Sequence, residues 1–253
     1  MTIDLKNKIA LVTGATGQLG RVIACTLAEC GADVAIHYHK NKEKADLLVK
    51  EIEKMGCRAL AVQADITDKS SVEKMRGAVA AGLGCPHIVI NNAVSQYEWT
   101  TILEQPEKDF IDQFETSTLN NVYMAKAFLP AMAERKSGRF IGINTETAMV
   151  LHAGSGAYAA AKRGMDGIYR VLAREMGVHN ITVNQVAPGW TVTEKDRDAG
   201  TERVPEYEQK IPLGRRGTDR EIANVVAFLA SDLSSFITGA YIPVCGGQVM
   251  PTI

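Results

Sequence analysis

The chain has 253 residues, 46% of them hydrophobic and 23% charged, which is ample apolar material for a large packed core. Its formal net charge is −1 and no Lys/Arg run exceeds a pair, so it lacks an electrostatic footprint for nucleic acid or an anionic membrane, and small molecules or other protein chains are the expected partners. Five cysteines, odd in number and without metal-ligand spacing, point to free thiols, a reducing and by default cytoplasmic location, and no metal.

The N-terminal stretch MTIDLKNKIALVTG runs from charged residues straight into a short apolar run, without a signal-peptide pattern, and no later stretch is apolar for long enough to span a bilayer. From there short β-branched runs alternate with longer helical patterns, the rhythm of βαβ units around a parallel sheet. Strands are expected at 8–13, 33–38, 58–63, 87–91, 139–144, 181–186 and 241–244, each apolar almost throughout, as strands covered on both faces are. Between them lie helical stretches such as 42–56, where apolar residues recur at helical spacing and Gly56 ends the run. Helices over 115–135 and 155–177 are expected to carry outward faces rich in small and apolar residues, among them Met124, Ala127, Leu129, Ala161 and Met165. Such faces predict a homodimer or homotetramer joined by a helical bundle. The rhythm breaks at 189–212, a polar and charged segment of the kind that forms lids or binding loops, with plain surface disorder as the alternative. No repeat or linker divides the chain, so one α/β domain is expected over 1–253: a Rossmann-type, doubly wound parallel sheet of about seven strands with helices on both faces.

Two local patterns carry chemistry. The first is TGATGQLG (13–20), which follows the first strand and opens a helix. Glycines at such a turn let the backbone approach a pyrophosphate, and the helix N-terminus offers unpaired N–H groups. NAD-preferring sites place a carboxylate at the end of the second strand to hold the ribose 2′-OH; here HYHKN (37–41) offers His39, Lys40 and Asn41 and no acid. A 2′-phosphate is welcome there, and NADP(H) is the expected cofactor. A solvated basic turn would explain the composition of this segment but not its location.

The second pattern is AYAAAK (157–162). Tyr158 and Lys162 stand at i and i+4, so their side chains leave the same helix face. Ionising a tyrosine of pKa about 10 at neutral pH costs about 4 kcal/mol, and a nearby cation offsets part of that, so the pair is expected to favour phenolate and to serve as a general acid or base. The three alanines between them either keep the face clear for cofactor and substrate or allow close helix packing.

TGATGQLG, then AD (64–65), NNA (91–93), Tyr158-x-x-x-Lys162, PGW (188–190) and ITGAYIPVCGG (237–247), in that order, resemble the short-chain dehydrogenase/reductase family over nearly the whole chain. Within it the chain is similar to compact NADPH-dependent reductases such as the 3-oxoacyl reductases, and HYHKN is similar to the cofactor-selecting segment of pteridine reductases. The resemblance implies an oxidoreductase that moves hydride between the nicotinamide and a carbonyl or alcohol. It implies a catalytic set of Tyr158, Lys162, Thr145 and Ser117. The implied cofactor set is Gly14, Thr16, Gly17, Gln18 and Leu19 at the turn, His39, Lys40 and Asn41 at the 2′-phosphate, Asp65 and Ile66 at the adenine, Asn92 and Ala93 at the ribose, Tyr158 and Lys162, and Pro188, Gly189, Thr191 and Thr193 at the nicotinamide and phosphates. Tyr158 would protonate the carbonyl oxygen, Thr145 would steady it, and Lys162 would lower the tyrosine pKa and hold the ribose.

Several positions depart from the family pattern. Gln18 stands where a glycine is usual, a spacing like that of the extended subclass, and Val94 replaces a small residue after NNA. Thr145 takes the place of the catalytic serine. Ser117, or Thr118 after a slip of one, takes the place of the proton-relay asparagine, while Asn120 and Asn121 sit about a turn further on and point elsewhere on a regular helix. Cys245 reads as a small buried residue. Substrate walls are expected from 94–104 and 189–212, with Tyr97, Trp99 and Trp190 as aromatic surfaces. Two other readings stay open: a nucleotide-binding regulator without turnover, in view of Val94, Thr145 and Ser117, and an epimerase or dehydratase on the same scaffold, in view of the glycine spacing.

Overall fold

Seven apolar runs pair into one parallel sheet in the computed structural model of the chain, which describes residues 2–251; residues 1, 252 and 253 of the expected 1–253 domain lie outside the described residues. The strands are β1 (Ile9–Val12), β2 (Asp33–Tyr38), β3 (Ala59–Gln63), β4 (Ile88–Asn91), β5 (Gly138–Ile143), β6 (Ile181–Pro188) and β7 (Tyr241–Val244), in spatial order β3-β2-β1-β4-β5-β6-β7. Each lies within two residues of the run expected from sequence. Successive side chains in a strand point to opposite faces, so Ala10 and Val12 enter one core while Ile9 and Leu11 enter the other.

Helices cover both faces. On one, α1 (Gln18–Glu29), α2 (Lys42–Lys54) and α10 (Asp219–Ala230) bury Ile23, Leu27, Ile52, Val226 and Leu229. On the other, α3 (Lys69–Gly82), α5 (Asn120–Arg135) and α7 (Gly156–Met176) bury Met75, Phe128, Met165 and Tyr169. Gly56, at φ +85°, ends the second helix pattern as expected. The short α4 (Glu107–Phe114) joins α5 through a wide π-helical turn at Glu115–Leu119, and the single turn α6 (Thr147–Val150) lies between β5 and α7.

One expectation needs correction. Met124, Ala127, Leu129 and Met165 do not face outward but are buried in the core beneath the sheet, and Ala161 is buried as well. Periodicity reveals that a helix has an apolar face, and a helix laid on a sheet spends that face on the sheet first. Among large apolar residues, Val171 of α7 stays exposed, as do Ile111 and Phe114 of the helix preceding the π turn (Glu107–Phe114). The segment 189–212 is not plain surface disorder, the alternative left open for it: it contains α8 (Glu194–Ala199), opened by a Thr193/Asp196 capping box, and α9 (Pro205–Glu208). The segment is held to the body by Arg216, almost wholly buried, whose guanidinium donates to the carbonyls of Trp190, Thr191, Thr201 and Glu202.

Candidate active site

Every strand from β1 to β6 ends its carboxyl end on one cleft of about 950 Å³, centred where the strand order reverses between β1 and β4. Crevices at such reversals are where open α/β sheets bind ligands. All the cofactor-set residues inferred from sequence line it, as do Thr145, Tyr158, Lys162 and Val94.

The glycine turn owes its shape to close backbone approach. Gly14 has φ +62°, and a Cβ on Gly20 would lie 2.2 Å from the Gly14 carbonyl oxygen and 2.8 Å from Asn92 Nδ2. Thr13 Oγ1 accepts from the N–H groups of Asn92 and Ala93 at 2.9 and 3.0 Å, and Asn92 Nδ2 donates to the carbonyls of Thr13 and Gly14. Asn92 thus braces the turn from β4. Gly17 caps α1 without a side-chain partner, so the first N–H groups of that helix face the cleft unpaired, an arrangement suited to a pyrophosphate.

A residue not singled out from the sequence completes the turn. His37, fully buried in β2, accepts from the Gly14 N–H through Nδ1 at 2.9 Å, which leaves Nε2 as the protonated nitrogen, 3.1 Å from the Ala64 carbonyl. Burial pushes its pKa down to about 4, so the imidazole stays neutral and ties the first turn to the end of β3. Only the alternation of β2 and the neighbouring glycine turn hinted at this, and both are satisfied equally by an aliphatic residue.

At the far end, Lys40 is exposed and makes no ion pair among the described residues. Asn41 Oδ1 caps α2 by accepting from Lys44 N–H at 3.0 Å. Asp65 accepts from the Thr67 hydroxyl and N–H, which hold its carboxyl below the usual range, and its other oxygen lies 4.0 Å from His39 Nε2.

At the inner end, Tyr158 and Lys162 leave α7 on one face, Lys162 Nζ lying 5.7 Å from the tyrosine ring centroid. The expected preference for phenolate does not hold. Lys162 Nζ donates to the Ile143 carbonyl at 2.7 Å, and burial lowers its pKa to about 7. Burial likewise pushes the Tyr158 phenol up to about 12, opposed by the neighbouring Thr145 side chain. Desolvation outweighs the pairing, so Tyr158 is held as a neutral acid. The alanines between the pair are packing residues in part: Ala159 and Ala161 are buried, and the Ala161 carbonyl accepts from Thr118 Oγ1 at 2.7 Å. Asn144, also missed in the sequence, joins the end of β5 to α7 by donating to the Lys162 carbonyl and to Gln185 Oε1.

The aromatic wall expected from 94–104 lies against this end. The Tyr158 N–H, in the first turn of α7, donates to the Tyr97 hydroxyl at 2.9 Å, and the Trp99 ring centroid lies 6.1 Å from that of Tyr158. Ser117 is the one catalytic-set residue outside the cleft lining. It is buried in the π turn with its Oγ unpartnered, and its carbonyl accepts from Asn121 Nδ2 at 2.8 Å. The wide turn shifts the helix phase, so the regular-helix argument that set Asn121 aside does not apply; Asn121 sits in a buried network with Ser117 and Tyr169.

The family model described as "Enoyl-(Acyl carrier protein) reductase" matches residues 14–248. The 3-oxoacyl-(acyl-carrier-protein) reductase of Staphylococcus aureus is 37% identical over 244 residues, 96% of this chain and 99% of that protein. Its Pseudomonas aeruginosa counterpart is 36% identical over 249 residues, 98% of this chain and all of that one. Among solved structures, a 7α-hydroxysteroid dehydrogenase complexed with NADH and 7-oxo glycochenodeoxycholic acid superposes at TM-score 0.89 with 29% identity, covering 99% of this chain and 97% of that one. A blue fluorescent protein from a metagenomic library, in complex with NADPH, gives TM-score 0.89 and 32% identity over 98% of this chain and 100% of that one. The chain belongs to the short-chain dehydrogenase/reductase family. It is therefore an oxidoreductase, and the family's Rossmann-like sheet is the one described above.

Against the family pattern, the glycine replaced by Gln18 has gained a contact. Gln18 Oε1 accepts from the Lys195 N–H in the first turn of α8 at 3.1 Å. Cys245 is buried, as expected, and accepts from the Val249 N–H.

Proposed function

We propose that this chain is an NADPH-dependent reductase of a small-molecule ketone, with Tyr158 as the acid and 1–253 working as a single dinucleotide-binding and catalytic domain. The observation that carries the reading is a neutral, half-buried phenol beside Thr145 and Lys162 at the inner end of a cleft whose outer end is a glycine turn with unpaired helix N–H groups. The backbone cradle at Gly14 and Gly20 fits a pyrophosphate, and the acid-free segment with exposed Lys40 fits a 2′-phosphate. When bound, the nicotinamide supplies the hydride. Tyr158 donates its proton to the carbonyl oxygen, and Thr145 Oγ1 holds that oxygen by a hydrogen bond. Lys162, whose burial lowers its pKa to about 7, would hold the nicotinamide ribose and in its charged form would lower the phenol pKa, and a water near Lys162 would take the place of Ser117 in passing protons from solvent.

The named relatives act on a 3-oxoacyl group and a 7-oxo steroid, both ketones on apolar bodies, and Tyr97 and Trp99 offer a comparable apolar wall here. The regulator and epimerase readings recede, since the tyrosine, the lysine and a hydroxyl are all in the cleft. Free thiols suit a reducing cytoplasm, and a homodimer or homotetramer formed through exposed Ile111 and Phe114 completes the reading.

The deciding assay follows absorbance loss of NADPH, and of NADH, with a ketone panel. The parent chain should consume NADPH in preference, and Tyr158→Phe should lose about 10²-fold or more in turnover with NADPH affinity retained, because the ring stays and only the acidic oxygen goes. Full activity in Tyr158→Phe would overturn the mechanism.

A further inference from the structure

Glu146 follows Thr145 directly, yet its side chain turns away from the cleft and is buried without a cation: it forms no ion pair among the described residues, and its Oε2 has no partner. Burying a carboxylate in this way is costly and calls for a compensating role. The other oxygen shows one. Glu146 Oε1 accepts from the Tyr207 hydroxyl at 2.7 Å, and that hydroxyl in turn accepts from the Trp190 N–H at 2.9 Å. The phenol of α9 therefore joins the residue next to the catalytic threonine to the first residue of the lid segment. Gly189 lies directly between the pair and the cleft: a Cβ there would sit 2.7 Å from the Tyr207 hydroxyl oxygen and 2.9 Å from Glu146 Oε2. Trp190 is gripped on both sides, edge-on by Tyr207 at 5.5 Å and by the Arg216 guanidinium 4.9 Å over its ring. At the opposite end the lid is tied to the glycine turn, by Gln18 to Lys195 N–H and by Arg21 to Glu194 at 3.5 Å.

We propose that Glu146 and Tyr207 are positioning residues forming a latch that holds the 190–208 lid to the body of the fold directly behind Gly189, which lines the cleft, and so fixes Trp190 beside that wall. The role rests on the carbonyl-reductase reading only for its kinetic consequence; the latch itself is made of contacts within the chain. Tyr207→Phe removes the phenolic proton that the carboxylate accepts and leaves the ring edge-on to Trp190. Glu146→Gln keeps an acceptor oxygen for the phenol, and Glu146→Ala does not.

Trypsin digestion of the cofactor-free chain tests the latch at Lys195, Arg197 and Arg203, which lie inside the lid. Tyr207→Phe and Glu146→Ala should be cut there at least fivefold faster than the parent, and Glu146→Gln close to the parent rate, with circular dichroism showing all folded. In steady-state reduction of a ketone the two latch-breaking variants should raise KM at least fivefold, by more than kcat falls, and Glu146→Gln should restore it. Lid cleavage at the parent rate in both latch-breaking variants, or faster cleavage with unchanged KM, overturns the proposal. If the parent reduces no ketone at all, the functional reading fails while the digestion still decides the latch, because it needs no turnover.

Discussion

Lys162 and His37 are both buried bases, and they act on stability in opposite parts of the pH scale. Lys162 falls from an ordinary 10.5 to about 7, so its charge is disfavoured by folding; the cost is full below pH 7 and fades as pH rises toward 10.5. Replacing it with an apolar side chain of like length removes that cost. Lys162→Met should therefore stabilise the cofactor-free chain at pH 7 by about 2 kcal/mol in urea unfolding while abolishing turnover, and a less stable variant would contradict the assignment. His37 falls from 6.5 to about 4. The unfolded chain takes up a proton below 6.5 that the folded chain refuses until about 4, so stability is lost as pH falls through that window, by at most about 3 kcal/mol. His37→Gln should flatten this loss, which urea midpoints at pH 7, 5 and 4 would show. Its side chain can still accept from Gly14, so NADPH should still bind at pH 7.

Between elements, the site depends on how closely α7 lies on β5. A Cβ on Gly142 would stand 2.2 Å from Met165 Cε and 2.6 Å from Tyr169 Cζ. The methionine end can move, but Tyr169 is held by Asn91 and Asn121 through its hydroxyl. Gly142→Ala should cost about 1–3 kcal/mol and push α7 outward. Since Tyr158 and Lys162 ride on that helix while the glycine turn rides on β1 and α1, turnover should fall more than NADPH affinity. Measuring kcat and the NADPH Kd in the same variant checks this, and equal losses in both would count against it.

For the molecule as a whole, the corrected helix faces change where association is expected but not whether it is. Ile111 and Phe114 remain exposed beside one another on α4, and exposed apolar clusters of this kind favour contact between copies. Sedimentation at micromolar concentration should give a multiple of 27.4 kDa, and Phe114→Asp should shift it toward a single chain. A parent sedimenting as a monomer would remove the expectation. Saturating NADPH at 100 times its Kd should also stabilise the fold by about 2.7 kcal/mol, and NADH at equal concentration by less.

The strands, the glycine turn, the acid-free end of β2 and the Tyr158/Lys162 pair were legible in the sequence because each rests on local rules: alternating burial, backbone space for a phosphate, and helical i, i+4 spacing. Those rules act over a few residues, so the order of the letters is enough to determine them. The direction of the pKa shifts, the burial of Met124 and Met165, the wide turn that displaces Ser117, and the use of Gln18, His37 and Glu146 as ties were decided only by tertiary structure. Each of these depends on what a residue distant in the chain places next to it. Desolvation in particular is set by the whole surrounding shell of atoms, and for Tyr158 and Lys162 it outweighed the pairing that the sequence made plain.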